Sequence, residues 1–539
     1  MKAVPSSPVG HFTIQSFIFL CILFLSALIS VSTGCGSGAT NQPPPKLSGN
    51  TSVTVLLSST ANDQLSAFGI GFTGITLTDQ SGKTVNLFST EPGTQQWAEF
   101  LHVNGTAEPF VTVSVPQGIY TAAAVSVADS YFTCVTLTPA GGLDTSYFAY
   151  GFNPTNAPPT TVTVNMPAAL TVTGDSMALS LDMQVSQSAS LSSCYDPNGN
   201  YSYSIQPTFN LSPSPVSSHP TNSANGKMEQ LEGQISSLGT TGNNFTLALP
   251  VGPRTLSISS DANTEYQGIS DFSSLATGTF VDMDGALQPD GSLLATRIAV
   301  EDPSAVDVLT GLGIVVGGDP LNGETSMWFL KRLSQGPDAI GVDWPFNVHS
   351  AAFQITGQLK NLATLPFVPS FNSSNIVAGQ NTYVSTLSLS INSDPYPHAA
   401  TVTLMPQTVD GTVMGSSSSG NFTVYDVSLA SYNLFPALAV QQGQTTVLSN
   451  PSQIEVYVDG NAQQLNHQAL AAGSTLRFYG LIFNDNGTLR MDCARVNDGV
   501  SFLPPPSSNG QLKVGQSRTI RHQGAGRQRQ TTTVITLTR

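Results

Sequence analysis

Along most of the chain, apolar and polar residues alternate one by one. "TSVTVLL" at 51–57, "GITLTD" at 74–79, "KTVNLFS" at 83–89, "FVTVSVPQGIYTAAAVSV" at 110–127, "TTVTVNM" at 160–166 and "ALSLDMQVS" at 178–186 all have period two, with turn residues between them. Alternation sends one face of a strand inward and the other to water, which predicts an antiparallel β-sandwich over 51–205. "QPTFNLSPSPVSSHPTNSANG" from Gln206 to Gly226 has no period and is rich in Pro, Ser and Asn, so it reads as a linker.

The pattern then repeats. "LATGTFVDMDGALQPDGSLLATRIAVED" from Leu275 aligns with "LAAGSTLRFYGLIFNDNGTLRMDCARVND" from Leu470. Gly278 stands seven before Gly285, and Gly473 stands seven before Gly480. Each copy continues into an Asp-Gly or Asn-Gly turn, at Asp290-Gly291 and Asn486-Gly487, and then a strand with Arg297 or Arg495. Such turns between alternating runs predict β-hairpins. Upstream, "EGQISSLGTTGNNFTLAL" from Glu232 matches "DGTVMGSSSSGNFTVYD" from Asp410, and a weaker middle copy starts near Gly311. The fold expected is all-β: an N-terminal antiparallel sandwich followed by about three small β-barrel-like repeat modules at 227–305, 306–407 and 408–503.

The repeated stretch resembles domain of unknown function 5666, a small β-barrel-like module of bacterial exported proteins. Gly233, Ile235, Phe245, Leu247, Leu275, Gly278, Gly285, Asp290, Gly291, Ala295, Arg297 and Ile298 carry that resemblance. It implies fold and envelope context, and it brings no catalytic residue. "VPQGIYTAAAVSV" followed by "LSLDMQVSQS" in the sandwich region resembles an envelope domain of unknown function with a sandwich fold.

At the start, Phe17 to Val31 is an apolar run of signal-peptide length, short of the roughly 20 residues that span a bilayer. Ser32, Thr33 and Gly34 precede Cys35, and a Gly/Ser/Pro stretch follows. The arrangement resembles a bacterial lipoprotein precursor, although Ser32 stands where that pattern usually has Leu, Val or Ile. The resemblance implies a signal over 1–34, lipidation at Cys35, a flexible tether over 35–50 and a membrane partner reached through that lipid. Gly36 after the cysteine resembles lipoproteins sent to an outer membrane, on its periplasmic or surface face.

Composition sharpens this picture. Only 9% of residues are charged, against a usual quarter, while small polar residues and Pro abound. The net charge is −15, but all 33 acidic residues lie before position 513, and six basic ones stand from Lys513 onward. The acidic body is expected to repel nucleic acid, so no nucleic-acid partner is expected. The Pro-rich and basic tail at 504–539 reads as a solvated arm before one last strand, "TTTVITLTR". Of the five cysteines, Cys134 and Cys194 share the sandwich and could pair in an oxidising envelope, while Cys493 is expected reduced and buried in a strand.

Little catalytic chemistry is visible. "GIGFTG" at 69–74 fits a dinucleotide fingerprint by letters, but a strand follows where a helix is needed, so its glycines read as a bulge or a close approach. Asp282 and Asp284 in "DMDG" share one strand face and read as solvated. "GPDAIGVDWPF" sets Asp338 and Asp343 beside Trp344, which suits either sugar stacking or a loop tryptophan anchoring a small core. The histidines of the exported part, His102, His219, His349, His398, His467 and His522, are scattered. No cofactor or metal is expected. The sequence thus predicts a non-catalytic structural or interaction protein of the cell envelope. The alternative is a binder of envelope polysaccharide or another surface ligand through Trp328, Asp343, Trp344 and Phe346, with a hydrolase less favoured.

Overall fold

The computed structural model describes residues 47–60, 65, 67–101, 103, 107–137, 143–151, 159–193, 202–214, 228–249, 252–301, 311–319, 326–334, 343–356, 362–388, 398–430, 433–438, 448–466, 468–498, 516–521 and 530–535. In 135–137, 143–151, 228–230, 311–319, 326–334, 343–345, 386–388, 437, 516–521 and 530–535 it describes the backbone alone. The signal, Cys35 and the tether up to residue 46 lie outside the described residues, and the tether's last residue, Asn50, already pairs with Pro116 in the sandwich.

The architecture is all-β, as the alternation predicts. The sandwich is built from β1 (Asn50–Ser59), β2 (Ala67–Asp79), β3 (Thr84–Ser89), β4 (Gln96–Glu99), β5 (Ala107–Pro116), β6 (Gly118–Leu137), β7 (Leu143–Gly151), β8 (Thr160–Val164), β9 (Leu170–Val172), β10 (Ser176–Met183), β11 (Ala189–Leu191), β12 (Tyr203–Ile205) and β13 (Phe209–Pro213). One sheet has the order β13-β10-β1-β5; the other runs β3-β2-β6-β7, with β4 on β2 and β8 and β9 on β6. Val53, Val55 and Leu57 of β1 and Leu179, Leu181 and Met183 of β10 face Phe68, Ile70, Phe72, Val125 and Phe132 across the core. At its centre, Phe72 meets Phe100, Phe110 and Phe209 at centroid distances of 6.0, 5.7 and 5.9 Å.

Two sequence expectations need correction here. The sandwich is not wholly antiparallel: β1 and β10 run parallel, from Ser52 opposite Ser176 to Ser59 opposite Met183. The expected linker begins too early. Phe209–Pro213 is β13, paired antiparallel with β10, because Phe209 and Leu211 alternate into the core even within a Pro/Ser-rich setting.

The first module contains β14 (Met228–Leu238), β15 (Asn244–Ala248), β16 (Thr255–Ser259), β17 (Glu265–Gln267), β18 (Phe280–Leu287) and β19 (Leu293–Val300). Its chain order β16-β15-β14-β18-β19 closes through a parallel β16–β19 pairing. The second has β20 (Gly311–Asp319), β21 (Ser326–Ser334), β22 (Asp343–Asn347), β23 (Ala352–Ile355), β24 (Asn381–Ser388) and β25 (His398–Leu404), with the same order and a parallel β22–β25 closure. The third has β26 (Gln407–Ser419), β27 (Phe422–Leu429), β28 (Gln453–Gln464), β29 (Thr475–Asp485) and β30 (Thr488–Asp498), a closed barrel ordered β26-β27-β28-β30-β29. All three therefore share one five-stranded ring, antiparallel except where strand three meets strand five, the connectivity of the OB-type barrel.

The repeat holds to single bonds. Gly278 N–H donates to Ile235 O and Gly473 N–H to Val413 O, both at 2.8 Å. The two glycines have φ of +92° and +91°, a backbone that side chains resist. Each β-bulge also recurs in place, between Asp284 and Gly285 and between Tyr479 and Gly480.

The tail also departs from expectation. Instead of one final strand after a solvated arm, β31 (Gln516–Arg521) pairs antiparallel with β7, and β32 (Gln530–Ile535) pairs with β31. The edge of β7 offers unpaired backbone groups, and the alternating tail satisfies them.

Candidate functional site

Two sets of side chains on the barrel modules stand out. The first follows from the hairpin of β18 and β19, whose register puts Asp284 opposite Arg297. Arg297 Nη2 donates to Asp282 Oδ2 at 2.7 Å, and its Nε donates to Asp284 Oδ2 at 2.8 Å. Period two puts both carboxylates on the outer strand face, and the planar guanidinium spans them. Burial raises Asp282 to about 6, against the pull of the Arg297 charge. The two acids expected to be solvated are therefore joined by a cation from their own module. The third module does not copy this clamp, since Arg477 and Tyr479 stand at the places of Asp282 and Asp284.

The second set lies on the outside of the third barrel. In OB-type barrels, strands two and three form the usual ligand face, and here these are β27 and β28. Phe422 of β27 and Tyr457 of β28 lie on that face, and Tyr479, Leu481 and Phe483 lie on β29, on the far side of β30. They form one apolar cluster with Phe346, Phe367, Phe371 and Ile376 of the second module. Phe367 packs 5.0 Å from Tyr457 and 5.8 Å from Phe483, and the Arg490 guanidinium lies 5.2 Å from its ring centre. Arg490 is fixed in turn by Asp485 at 2.7 Å and Glu455 at 3.0 Å. A segment of the chain thus occupies the place where a ligand ring would stack.

The first module is held similarly, against the sandwich. Leu56, Ala107 and Ala178, facing out from the sandwich sheet, join the core of the first module. The turn at Asp290-Gly291 seats on β10, where Ser176 Oγ donates to Asp290 O at 2.8 Å. Arg254 is half-buried, with its guanidinium 5.2 Å from the Phe110 ring centre. Burial lowers its pKa to about 10, and the charge of Glu108 opposes the shift.

The aromatic candidates read from the sequence divide. Phe346 is only 1% exposed and belongs to the shared core, so the expectation of an exposed ligand contact fails for it. Trp344 is not in a loop: it lies in β22 opposite Phe329, with Asp343 opposite Leu330, and Trp328 in β21 is opposite Pro345. Asp343–Asn347 forms β22 because it pairs antiparallel along β21. The side chains of Trp328, Asp343 and Trp344 lie outside the described residues. Among those described, no group of three or more His, Cys, Asp or Glu side chains is placed to hold a metal ion.

The remaining motifs settle as structure. Bulges flank Phe72 in β2, and the Tyr131 ring lies where a Gly69 side chain would start, 2.3 Å from that Cβ position. Cys493 is free and buried in β30. Cys134 is disulfide-bonded, and its expected partner, Cys194, lies outside the described residues. Sequence reading missed the inter-module contacts, because single small or apolar residues at outward positions carry no periodic signal.

Comparisons with known proteins bear on one module. No curated protein matches the chain. Among solved structures, drosophila Unr CSD456 matches with 12% identity, covering 50% of this chain and 97% of that one. The TM-score is 0.11. Residues 232–299, which hold the Arg297 clamp and the Asp290-Gly291 turn, match the family model described as Domain of unknown function (DUF5666).

Proposed function

We propose that this protein is an exported, lipid-anchored component of the bacterial cell envelope with a non-catalytic structural or interaction role. The observation that carries the reading is the seating of Phe367 on Tyr457 and Phe483. The face that would serve a small ring-shaped ligand is spent on holding two modules together. The clamp at Arg297 fits the same pattern, because both carboxylates bond to a cation of their own module. Anchoring rests on the sequence around Cys35, and the match at 232–299 to a family of unknown function agrees with the repeat.

Intact-mass measurement of membrane fractions from cells expressing wild type or Cys35→Ala tests the anchor. Wild type is expected to lose the signal and gain a lipid mass, and the variant to leave the membrane; unmodified precursor in wild type overturns the proposal. A glycan array with wild type and Trp344→Ala tests the role. No binding is expected, and binding lost in Trp344→Ala would replace this reading with carbohydrate recognition.

A further inference from the structure

Asp492, on β30, is a buried acid on the outside of the third barrel. It is 3% exposed. Its neighbours across β28 and β29 are Tyr457 and Leu481. Both belong to the apolar cluster closed by Phe367, Phe371 and Ile376 of the second module. The carboxylate therefore lies in the seam between two modules.

Among the described residues, the arginines around it are engaged elsewhere, and the titratable side chains that the second module brings are His349, Tyr383 and His398. On its own strand, Arg490 is engaged by Glu455 of β28 and Asp485 of β29, and Arg495 Nε donates to Gln463 at 3.0 Å. On β29, Arg477 stands opposite Asp410 of β26, and Tyr479 packs in the seam. On β28, Asp459 adds a like charge, fixed by the N–H groups of Asn461 and Ala462 at 2.9 and 3.1 Å. The covering segment 362–380, "LATLPFVPSFNSSNIVAGQ", contains no charged or titratable residue. An ionised carboxylate there is costly, whereas a protonated one is tolerated.

We propose that Asp492 is a pH-sensitive latch between the second and third modules, closed in acid and loosened towards neutrality, when its ionisation favours lifting of the segment carrying Phe367 from the barrel face. Burial, helped by the Asp459 charge, raises its pKa to about 7 from 3.8. The sign follows from linkage. The protonated form favours the closed seam, so this contribution is whole below the ordinary carboxylate range and is lost as pH rises to about 7. One ionising group changes the opening constant by at most tenfold per pH unit, or roughly 50-fold between pH 5 and pH 7.

Hydrogen exchange read by mass spectrometry on the full chain tests the latch, with rates corrected for the intrinsic pH effect. Peptides from 362–376 in wild type are expected to lose protection between pH 5 and pH 7, roughly 50-fold at the limit. Asp492→Asn, an isostere of the neutral acid, is expected to keep acid-like protection at pH 7. Asp459→Asn is expected to show a smaller rise than wild type. Equal pH responses in wild type and Asp492→Asn, or no response in wild type, would overturn the proposal.

Discussion

Replacing Gly291 with alanine probes the joint between the first module and the sandwich. Gly291 has φ +84°, and an added Cβ would lie 2.4 Å from both Ala178 N and Met177 C. These are backbone atoms within β10, so no rotamer change relieves the overlap. The left-handed backbone alone costs about 1–2 kcal/mol for alanine. Lifting the turn would also break the Ser176–Asp290 hydrogen bond, worth about 1 kcal/mol. Partial exposure of Leu56 and Ala178 adds about 1 kcal/mol more. The total is about 3–4 kcal/mol, a large share of ordinary domain stability. Gly278→Ala provides the control, since its φ is +92° with nothing within 4 Å of the added Cβ. It should lose only the backbone part, about 1–2 kcal/mol. Urea unfolding followed by circular dichroism compares the two. Equal losses would refute the idea that the turn is pressed against β10.

Further outcomes follow from the same contacts. Phe367→Ala empties the stack on Tyr457 and Phe483 and should cost about 3–5 kcal/mol, measured by denaturant midpoint. Arg297→Gln leaves Asp282 and Asp284 facing each other without their cation, and should destabilise by about 1–3 kcal/mol at pH 7. Asp282 already has a raised pKa of about 6, so its neutral form favours folding, and the Arg297→Gln loss should shrink as pH falls from 7 to 4 in a melting series. Gly69→Ala pushes a Cβ into the Tyr131 ring and should lower stability, with Tyr131→Ala in the same chain restoring part of it in a double-mutant cycle.

Strands were legible where one face met a core and the other met water. The β18–β19 hairpin is an example: "DMDGALQPDGSLLATRI" shows its alternation, its turn and even its Arg297, so the clamp could have been found by folding the hairpin on paper. The second module was harder, because its sequence shares few letters with its neighbours while its strand order matches theirs. The parallel pairing of β1 with β10 joins residues more than a hundred positions apart, and local pattern has no access to such a partner. The seams were hidden for a different reason. Ala107 and Ala178 are small residues on a nominally outward face, and only a docked neighbour gives them a role. Trp344 was misplaced because an aromatic beside an acid and a proline looks like a loop until a strand such as β21 pairs with it.

The modules share cores rather than hang on linkers. Hydrogen exchange at increasing urea can follow β10 of the sandwich and β18–β19 of the first module in one sample. If the seam at Leu56, Ala107 and Ala178 unites them, both should reach full exchange in a single cooperative opening of equal free energy. Opening of β18–β19 at far lower urea, with β10 still fully protected, would contradict it.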